Sequence, residues 1–510
     1  MSWWTGGFPA SGIPAVAAFA AFLLHLPGNP HYGFFRDELY LIVCGQHPQW
    51  GYVDQPALAP LLAAASQVFG PSLVLLRAVP AFFAAGAVYV AARLAAEFGG
   101  AAFSQAVAAL AVFFAPVLMA FGMKVSPDMV GLWLWPLAVL YLVRVAQGGD
   151  PRGWLAVGAA AGVAIHGKYT VVFFLFSLLA GLLLTPTRKL LFTRWFAFGC
   201  LTCAVIALPS FLWQAHYGFP QLEMLRNAEH GKNAIVGPFT FLMQQVVLTG
   251  MALALVWMAG LAWLLSRPDL RFLAYAFVLL MALMIALHAK HYYPGDVYAY
   301  LFAAGAVALE GWTRERRVVR FALTVGIAVM GLLLTPVVMP VLPEPQMVSY
   351  TSWLFDHLGV ERKTLATEKR REDKLASDWA GMHGWTELAA TVARVYQSLP
   401  EADRERALIA AQNYGEAAAI DFLGRPYGLP RVISGHNQYF LWGTHGYSGE
   451  VTICVGGDCG ASMHLFDRCE RAAVFTADWV QSEEENLPIT VCRGIRKPLS
   501  EIWPKVKNYR

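Results

Sequence analysis

The sequence predicts a polytopic α-helical membrane protein followed by a soluble α/β or α+β domain. Three observations carry this expectation. Hydrophobic residues make up 57% of the 510 positions and charged residues only 14%, at a mean hydropathy of +0.48. Soluble globular chains are roughly one-quarter charged. Apolar runs near the roughly 20 residues that cross a bilayer recur through the first two-thirds of the chain. After Pro340 the composition turns polar, and no later run is long and apolar enough to cross.

The first apolar runs cover 13–26 and 73–96. Others start near Ala102, Met129, Trp154, Val171, Trp195, Phe239, Phe272, Val297 and Phe321, which gives about eleven spans. The first resembles a signal peptide in length but lacks a basic leading segment, so it reads as a retained anchor. Taking the spans alternately, one set of connections collects Arg93, Arg144, Arg152, Arg188, Lys189, Arg194, Arg267, Arg271, Arg314, Arg316, Arg317 and Arg320. That side is expected to be cytoplasmic. The opposite side receives the loop at 28–70, Ser126-Pro127-Asp128, His166-Gly167-Lys168, the long loop 213–238 and Lys290-His291-Tyr292-Tyr293. The net charge of +4 is accounted for by this topology and calls for no nucleic-acid partner.

Residues 1–340 are thus expected to form the membrane domain and 341–510 a soluble extracytoplasmic domain. Pro340, Pro343 and Pro345 mark the boundary, and a charged stretch at 361–374 follows. Within the second part, 387–396 reads as helix, and 407–410 and 451–454 read as strands. Four of the seven cysteines lie there, Cys454, Cys459, Cys469 and Cys492, and an oxidising compartment would permit disulfides in any of three full pairings.

The chemistry starts from Arg36-Asp37-Glu38 and Gly51-Tyr52-Val53-Asp54-Gln55-Pro56, which put three carboxylates in a short polar loop between apolar stretches. Asp37 reads either as a helix-starting carboxylate that receives backbone N–H groups or as a general base that takes a proton from an acceptor hydroxyl or amine. Arg36 is placed to hold it ionised. Ser126 reads as an N-cap with Pro127 as the first helical residue, and Asp128 is in reach of Lys124 or a sugar. Lys124, Lys168, Lys290, Arg226 and Lys232 are cations on a side otherwise poor in them. All five are candidate phosphate contacts, and Lys168 and Lys290 read alternatively as side chains snorkelling from a helix end. Tyr292 and Tyr293 read as interfacial aromatics or as part of that contact. The long loop 213–238 has an amphipathic middle and a glycine near its end, as a gate over a site would. No histidine spacing fits a zinc site, so a divalent cation would need oxygen ligands such as Asp37, Glu38 and Asp54.

In order and common side, these motifs resemble those of bacterial GT-C membrane glycosyltransferases. The resemblance is to family 39, which includes protein O-mannosyltransferases, and to the related lipid A aminoarabinose transferases. It covers 34–301 and continues in Asn413-Tyr414-Gly415-Glu416-Ala417 and Ser434-Gly435-His436-Asn437. It implies an inverting transfer of a sugar from a polyprenyl-phosphate donor, across the bilayer surface, to a glycolipid, glycan or protein outside the cytoplasmic membrane. It implies Asp37 as the base with Glu38 as its neighbour. Lys290, Tyr292 and Tyr293 resemble the family's Lys and Tyr-Tyr before a later span, which implies phosphate contact, and Asp54 falls at a family loop position that implies contact with the acceptor or the sugar; Arg36, Lys124, Asp128, His166, Lys168 and Arg226 are further candidate substrate contacts on the same side. Asp54-Gln55-Pro56 departs from the Glu-Lys-Pro common in aminoarabinose transferases, which leaves the acceptor class open. A carrier or flippase of a lipid-linked or anionic substrate is the alternative, and discontinuous helices in two related halves would mark it.

Overall fold

A computed structural model describes residues 12–26, 32–231, 235–358, 373–457 and 464–510. Its first two-thirds is helical throughout: α1 (Ile13–His25), α2 (Arg36–Gln46), α3 (Leu58–Ala65), α4 (Leu73–Glu97), α5 (Ala102–Phe114), α6 (Pro116–Met123), α7 (Asp128–Ala146), α8 (Gly153–Ile165) and α9 (Val171–Leu183). Then come α10 (Arg194–His216), α11 (Pro220–Gly231), α12 (Pro238–Thr249), α13 (Met251–Leu265), α14 (Arg271–Ala286), α15 (Tyr298–Trp312), α16 (Arg317–Val338) and α17 (Glu344–Leu358). A helix begins at or within about one turn of every predicted apolar start.

The helix lengths do not confirm the expected count of eleven spans. Among the described residues four helices, α4, α7, α10 and α16, are singly long and apolar enough to cross a membrane, or up to seven if each bent pair is one span. Backbone chemistry explains the bends. Pro116 has no N–H to continue α5, and the chain turns by 64° into α6. Gly250, at φ 84°, breaks α12 from α13 by 109°. Helix α9 gives way at Pro186 to a 3-10 turn bent by 115°.

Burial sorts these helices. In their most apolar windows α4 is 56% and α7 72% buried, whereas α10 and α16 are each 17% buried and turn apolar side chains outward. A helix apolar on all faces suits lipid or a protein interior. Where α13 crosses α15, a Cβ on Gly260 would overlap the Leu301 carbonyl, so the two backbones touch through the missing side chain.

The C-terminal region contains α18 (Ser377–Ala380), α19 (Trp385–Ser398), α20 (Glu401–Arg404) and α21 (Tyr414–Leu423). They accompany a five-stranded sheet of β1 (Ala407–Ala411), β2 (Val432–Ile433), β3 (Val451–Val455), β4 (Phe466–Phe475) and β5 (Leu487–Ile495). The order is β2-β1-β3-β5-β4, with β2, β1 and β3 parallel and β5 and β4 added antiparallel. The predicted helix at 387–396 and strands at 407–410 and 451–454 are α19, β1 and β3. Cys469 and Cys492 pair across β4 and β5 in a disulfide. Cys459 lies outside the described residues, as does Lys232.

One connection matters for the site. Strand β1 ends at Ala411, and Asn413 caps α21 by accepting the Glu416 N–H at 3.0 Å. Tyr414, first residue of α21, therefore sits at the carboxyl end of a parallel strand, the edge where open α/β sheets place functional groups.

Candidate active site

Helix α2 starts from Phe35, which has extended backbone (φ −72°, ψ 145°) and donates its N–H to Glu38 Oε2 at 2.9 Å. Arg77, about one turn into the apolar helix α4, donates Nε to Glu38 Oε1 at 3.3 Å and Nη2 to Oε2 at 3.1 Å. The Val125 N–H adds a bond to Oε1 at 3.1 Å, and Arg77 Nη2 reaches the Gly33 carbonyl at 2.7 Å. Both side chains are completely shielded from solvent. Two buried charges are tolerable only with such a set of partners. Glu38, predicted beside Asp37 in the chemistry, instead fastens α2 to α4 and to the segment entering α7.

Asp37 turns the other way, and 43% of its side chain is exposed. Its Oδ1 accepts the Tyr414 hydroxyl at 2.8 Å and Arg36 Nε at 3.2 Å. Arg36 is held in turn: its backbone N–H donates to the Gly381 carbonyl, Nη1 donates to Gln481 Oε1 at 3.2 Å, and the guanidinium lies 5.3 Å from the centre of the Tyr414 ring. Burial first, and then the Asp37 carboxylate, raise the Tyr414 phenol well above its ordinary pKa, so it stays a donor.

The second motif folds back on the first. Tyr52 donates its N–H to no further than the Gln55 carbonyl, 2.8 Å away, closing a turn, while its hydroxyl is buried on the Cys44 carbonyl at 2.8 Å. Asp54 Oδ1 accepts the Tyr40 hydroxyl at 3.0 Å and Oδ2 the Asn437 amide at 3.4 Å. Burial and the adjacent Asp54 raise Tyr40 in the same manner as Tyr414. His166 stands outside this polar group as a staple: one ring nitrogen meets the Ile206 carbonyl at 2.7 Å and its own carbonyl receives the Leu58 N–H.

A second cluster forms around Lys168. Its Nζ donates to Asp128 Oδ1 at 2.6 Å and lies 4.1 Å above the Tyr293 ring and 5.1 Å above that of Tyr292. Asp296 is buried beside it, and among the described residues its Oδ1 has no hydrogen-bond partner. Lys124 pairs with Asp378 of the C-terminal region and sits 4.1 Å over the Phe35 ring. Lys290 is half-buried, and Arg226 is exposed on α11. The predicted N-cap is not formed: Pro127 occupies that position without side-chain capping, and Asp128 opens the helix facing Lys168. The predicted gate is largely the helix α11, joined to the rest by Gln221 Nε2 on the Asp54 carbonyl at 3.1 Å and Asn227 on the Tyr509 carbonyl at 2.9 Å. Asp37, Glu38 and Asp54 do not converge as ligands, since Arg77 and two backbone N–H groups occupy Glu38; among the described residues no group of three or more His, Cys, Asp or Glu is placed to hold a metal ion.

Sequence reasoning missed Arg77, Tyr40, Asp378, Asp296 and Gln481. Arg77 carried a signal, being an arginine near the start of an apolar run. Tyr414 stood in a noted motif, but nothing local joins it to Asp37, 377 positions earlier.

The family model for dolichyl-phosphate-mannose-protein mannosyltransferases matches residues 47–213. Among solved structures, ArnT from Cupriavidus metallidurans bound to undecaprenyl phosphate superposes with a TM-score of 0.62 at 16% identity, over 95% of this chain and 98% of its own. Its apo state gives 0.61 at 15% identity, over 94% and 98%. The chain has the GT-C glycosyltransferase fold. The mycobacterial arabinofuranosyltransferase AftD shares this fold at a TM-score of 0.53 and 16% identity, over 97% of this chain but 40% of AftD. No curated protein matches the sequence. Of the candidate residues read from the sequence, the matched stretch holds Asp54, Lys124, Asp128, His166 and Lys168, while Asp37 and Glu38 precede it.

Proposed function

We propose that this chain is an inverting glycosyltransferase that moves a sugar from a polyprenyl-phosphate donor to a glycolipid, glycan or protein outside the cytoplasmic membrane. One observation carries the reading: of the three loop carboxylates, Glu38 is sealed against Arg77 and Asp54 is bound between Tyr40 and Asn437, while Asp37 keeps 43% of its side chain exposed at the start of α2. A general base needs that exposure to meet the group it deprotonates. The likeness to ArnT over nearly the whole of both chains, with undecaprenyl phosphate bound in that protein, supports a lipid-phosphate donor here.

In this reading the acceptor hydroxyl or amine attacks the anomeric carbon from the face opposite the phosphate, and its proton passes to Asp37. The glycosidic C–O bond breaks with its electron pair going to the phosphate oxygen, so configuration inverts. Fixed cations stabilise charge developing on that phosphate. Lys168, steadied by Asp128 over Tyr293, and Lys290 are assigned this part, with Tyr292, Lys124 and Arg226 as further donor contacts. Asp54 and Arg36 orient the acceptor side, and Glu38 positions Asp37 through the backbone of α2. His166 has its ring committed to Ile206, which favours a supporting place over substrate contact.

We further assign the chain to the inner membrane, with 1–340 as the transferase domain and 341–510 as a soluble extracytoplasmic domain. The positive-inside pattern supports this. So do the contacts of Arg36, in the acidic loop, with Gln481 and of Lys124, at the end of α6, with Asp378, since both tie that side of the helices to the C-terminal region.

The test has two parts. Mass spectrometry of surface lipids, glycans and proteins from cells with and without the chain should show one missing sugar, which identifies donor and acceptor together. Asp37→Asn in the purified protein should lower kcat by about 10²- to 10⁴-fold, the range of a lost general base. Unchanged turnover in a folded Asn variant would refute the assignment.

A further inference from the structure

The sequence points to the membrane loops for chemistry, and although Tyr414 lies in a noted motif of the C-terminal region, nothing local joins it to the acid. The geometry contradicts that division. Tyr414 is 8% exposed, and its hydroxyl has been brought to Asp37 Oδ1 at 2.8 Å across 377 positions of sequence. Buried phenols take a hydrogen-bond partner, and this one finds it in a loop carboxylate that keeps 43% of its side chain exposed.

The surroundings fix the contact from several sides. Tyr414 is aligned at the N-terminus of α21 by the Asn413 cap and packs 4.7 Å from the Tyr40 ring on one side and 4.9 Å from His436 on another. Tyr40 accepts the Gln438 N–H at 3.1 Å and donates to Asp54, so the same two aromatic rings link Asp37 to Asp54. Gly415 lies so close to the stem of Arg36 that a Cβ would overlap it. Gln481 closes the circuit: it accepts from Arg36 and donates to the Ser377 carbonyl and hydroxyl, each at 3.0 Å.

We infer that Tyr414 is a positioning residue for the transfer reaction, orienting the Asp37 carboxylate and favouring its ionised form, so that the site is complete only when the C-terminal region is docked on the acidic loop. Two donors, Tyr414 and Arg36, act on the same oxygen and thereby set the plane of the carboxylate from one side. Donors to an ionised acid favour that form, and removing one disfavours it. The inference rests on Asp37 being the base.

The experiment uses the full chain in detergent. Polyprenyl-phosphate sugars extracted from the native cells serve as donor, and envelopes from cells lacking the chain serve as acceptor. Tyr414→Phe keeps the ring and deletes the hydroxyl. It should lower kcat by about tenfold with KM for the donor extract unchanged, and move the acidic limb of the kcat/KM profile about one pH unit upward. A ring that served packing alone would not move that limb. Site-specific replacement of Tyr414 by 3,5-difluorotyrosine, a stronger donor of nearly the same size, should move it downward and covers the case in which the Phe variant fails to fold.

The outcomes separate the two readings. Normal turnover by Asp37→Asn overturns the base and this inference with it. An inactive Asp37→Asn beside a Tyr414→Phe variant whose pH profile superposes on the wild type overturns the inference alone. So does a difluorotyrosine protein with an unmoved acidic limb.

Discussion

Adjacent acids in this loop have opposite environments, and a single residue step along α2 separates them. Glu38 points inward to Arg77 and Asp37 outward to Tyr414 because successive residues on a helix face directions about 100° apart. Breaking the inner pair should be costly. Arg77→Met leaves Glu38 charged and without its guanidinium, an expected loss of about 3–5 kcal/mol. Thermal unfolding in detergent should show a lower midpoint, and adding Glu38→Gln should recover part of it. An unshifted midpoint in the single variant would mean the pair contributes nothing to holding α2. The Asp-Glu doublet was legible in the sequence, but the direction of each side chain was not, since a lone arginine 39 positions later decides it.

At the scale of elements, the contact between α2 and α21 carries the site, and its closeness depends on Gly415. Gly415→Ala puts a methyl group against the Arg36 stem, an overpacking worth about 1–3 kcal/mol if the two helices stay docked. Relief by a shift of Arg36 should lower turnover several-fold with little change in unfolding temperature; full activity would show that the Arg36 position is not critical. Element starts were readable because apolar runs of this length have few alternatives. The breaks at Pro116 and Gly250 were less so, because proline and glycine are common within membrane helices and neighbouring packing decides whether they bend. The long loop misled for a related reason: residues 220–231 have a polar, amphipathic pattern, and only its partners Asp54 and Tyr509 reveal a docked helix.

For the whole molecule, the fold class was legible from composition, whereas the joining of its two parts was not, because the contacts between Lys124 and Asp378 or Tyr414 and Asp37 span hundreds of residues. That junction also has an acid–base character. Glu416 and Glu484 are buried beneath it, sharing Asn413 as a donor at 2.9 and 3.1 Å, and burial, followed by their mutual repulsion at Glu416, raises both above the ordinary 4.5. The folded pair keeps a proton that the unfolded chain releases above that pH, so the native state binds more protons and stability falls as pH rises. Glu484→Gln should therefore lose less melting temperature than the wild type between about pH 5 and about pH 8; an identical slope would show that the pair titrates normally. The long separation between Asp37 and Tyr414 finally has a meaning in time as well as in space. A ribosome delivers Asp37 several hundred codons before Tyr414, so a nascent chain carries the acid long before the hydroxyl that meets it in the folded protein.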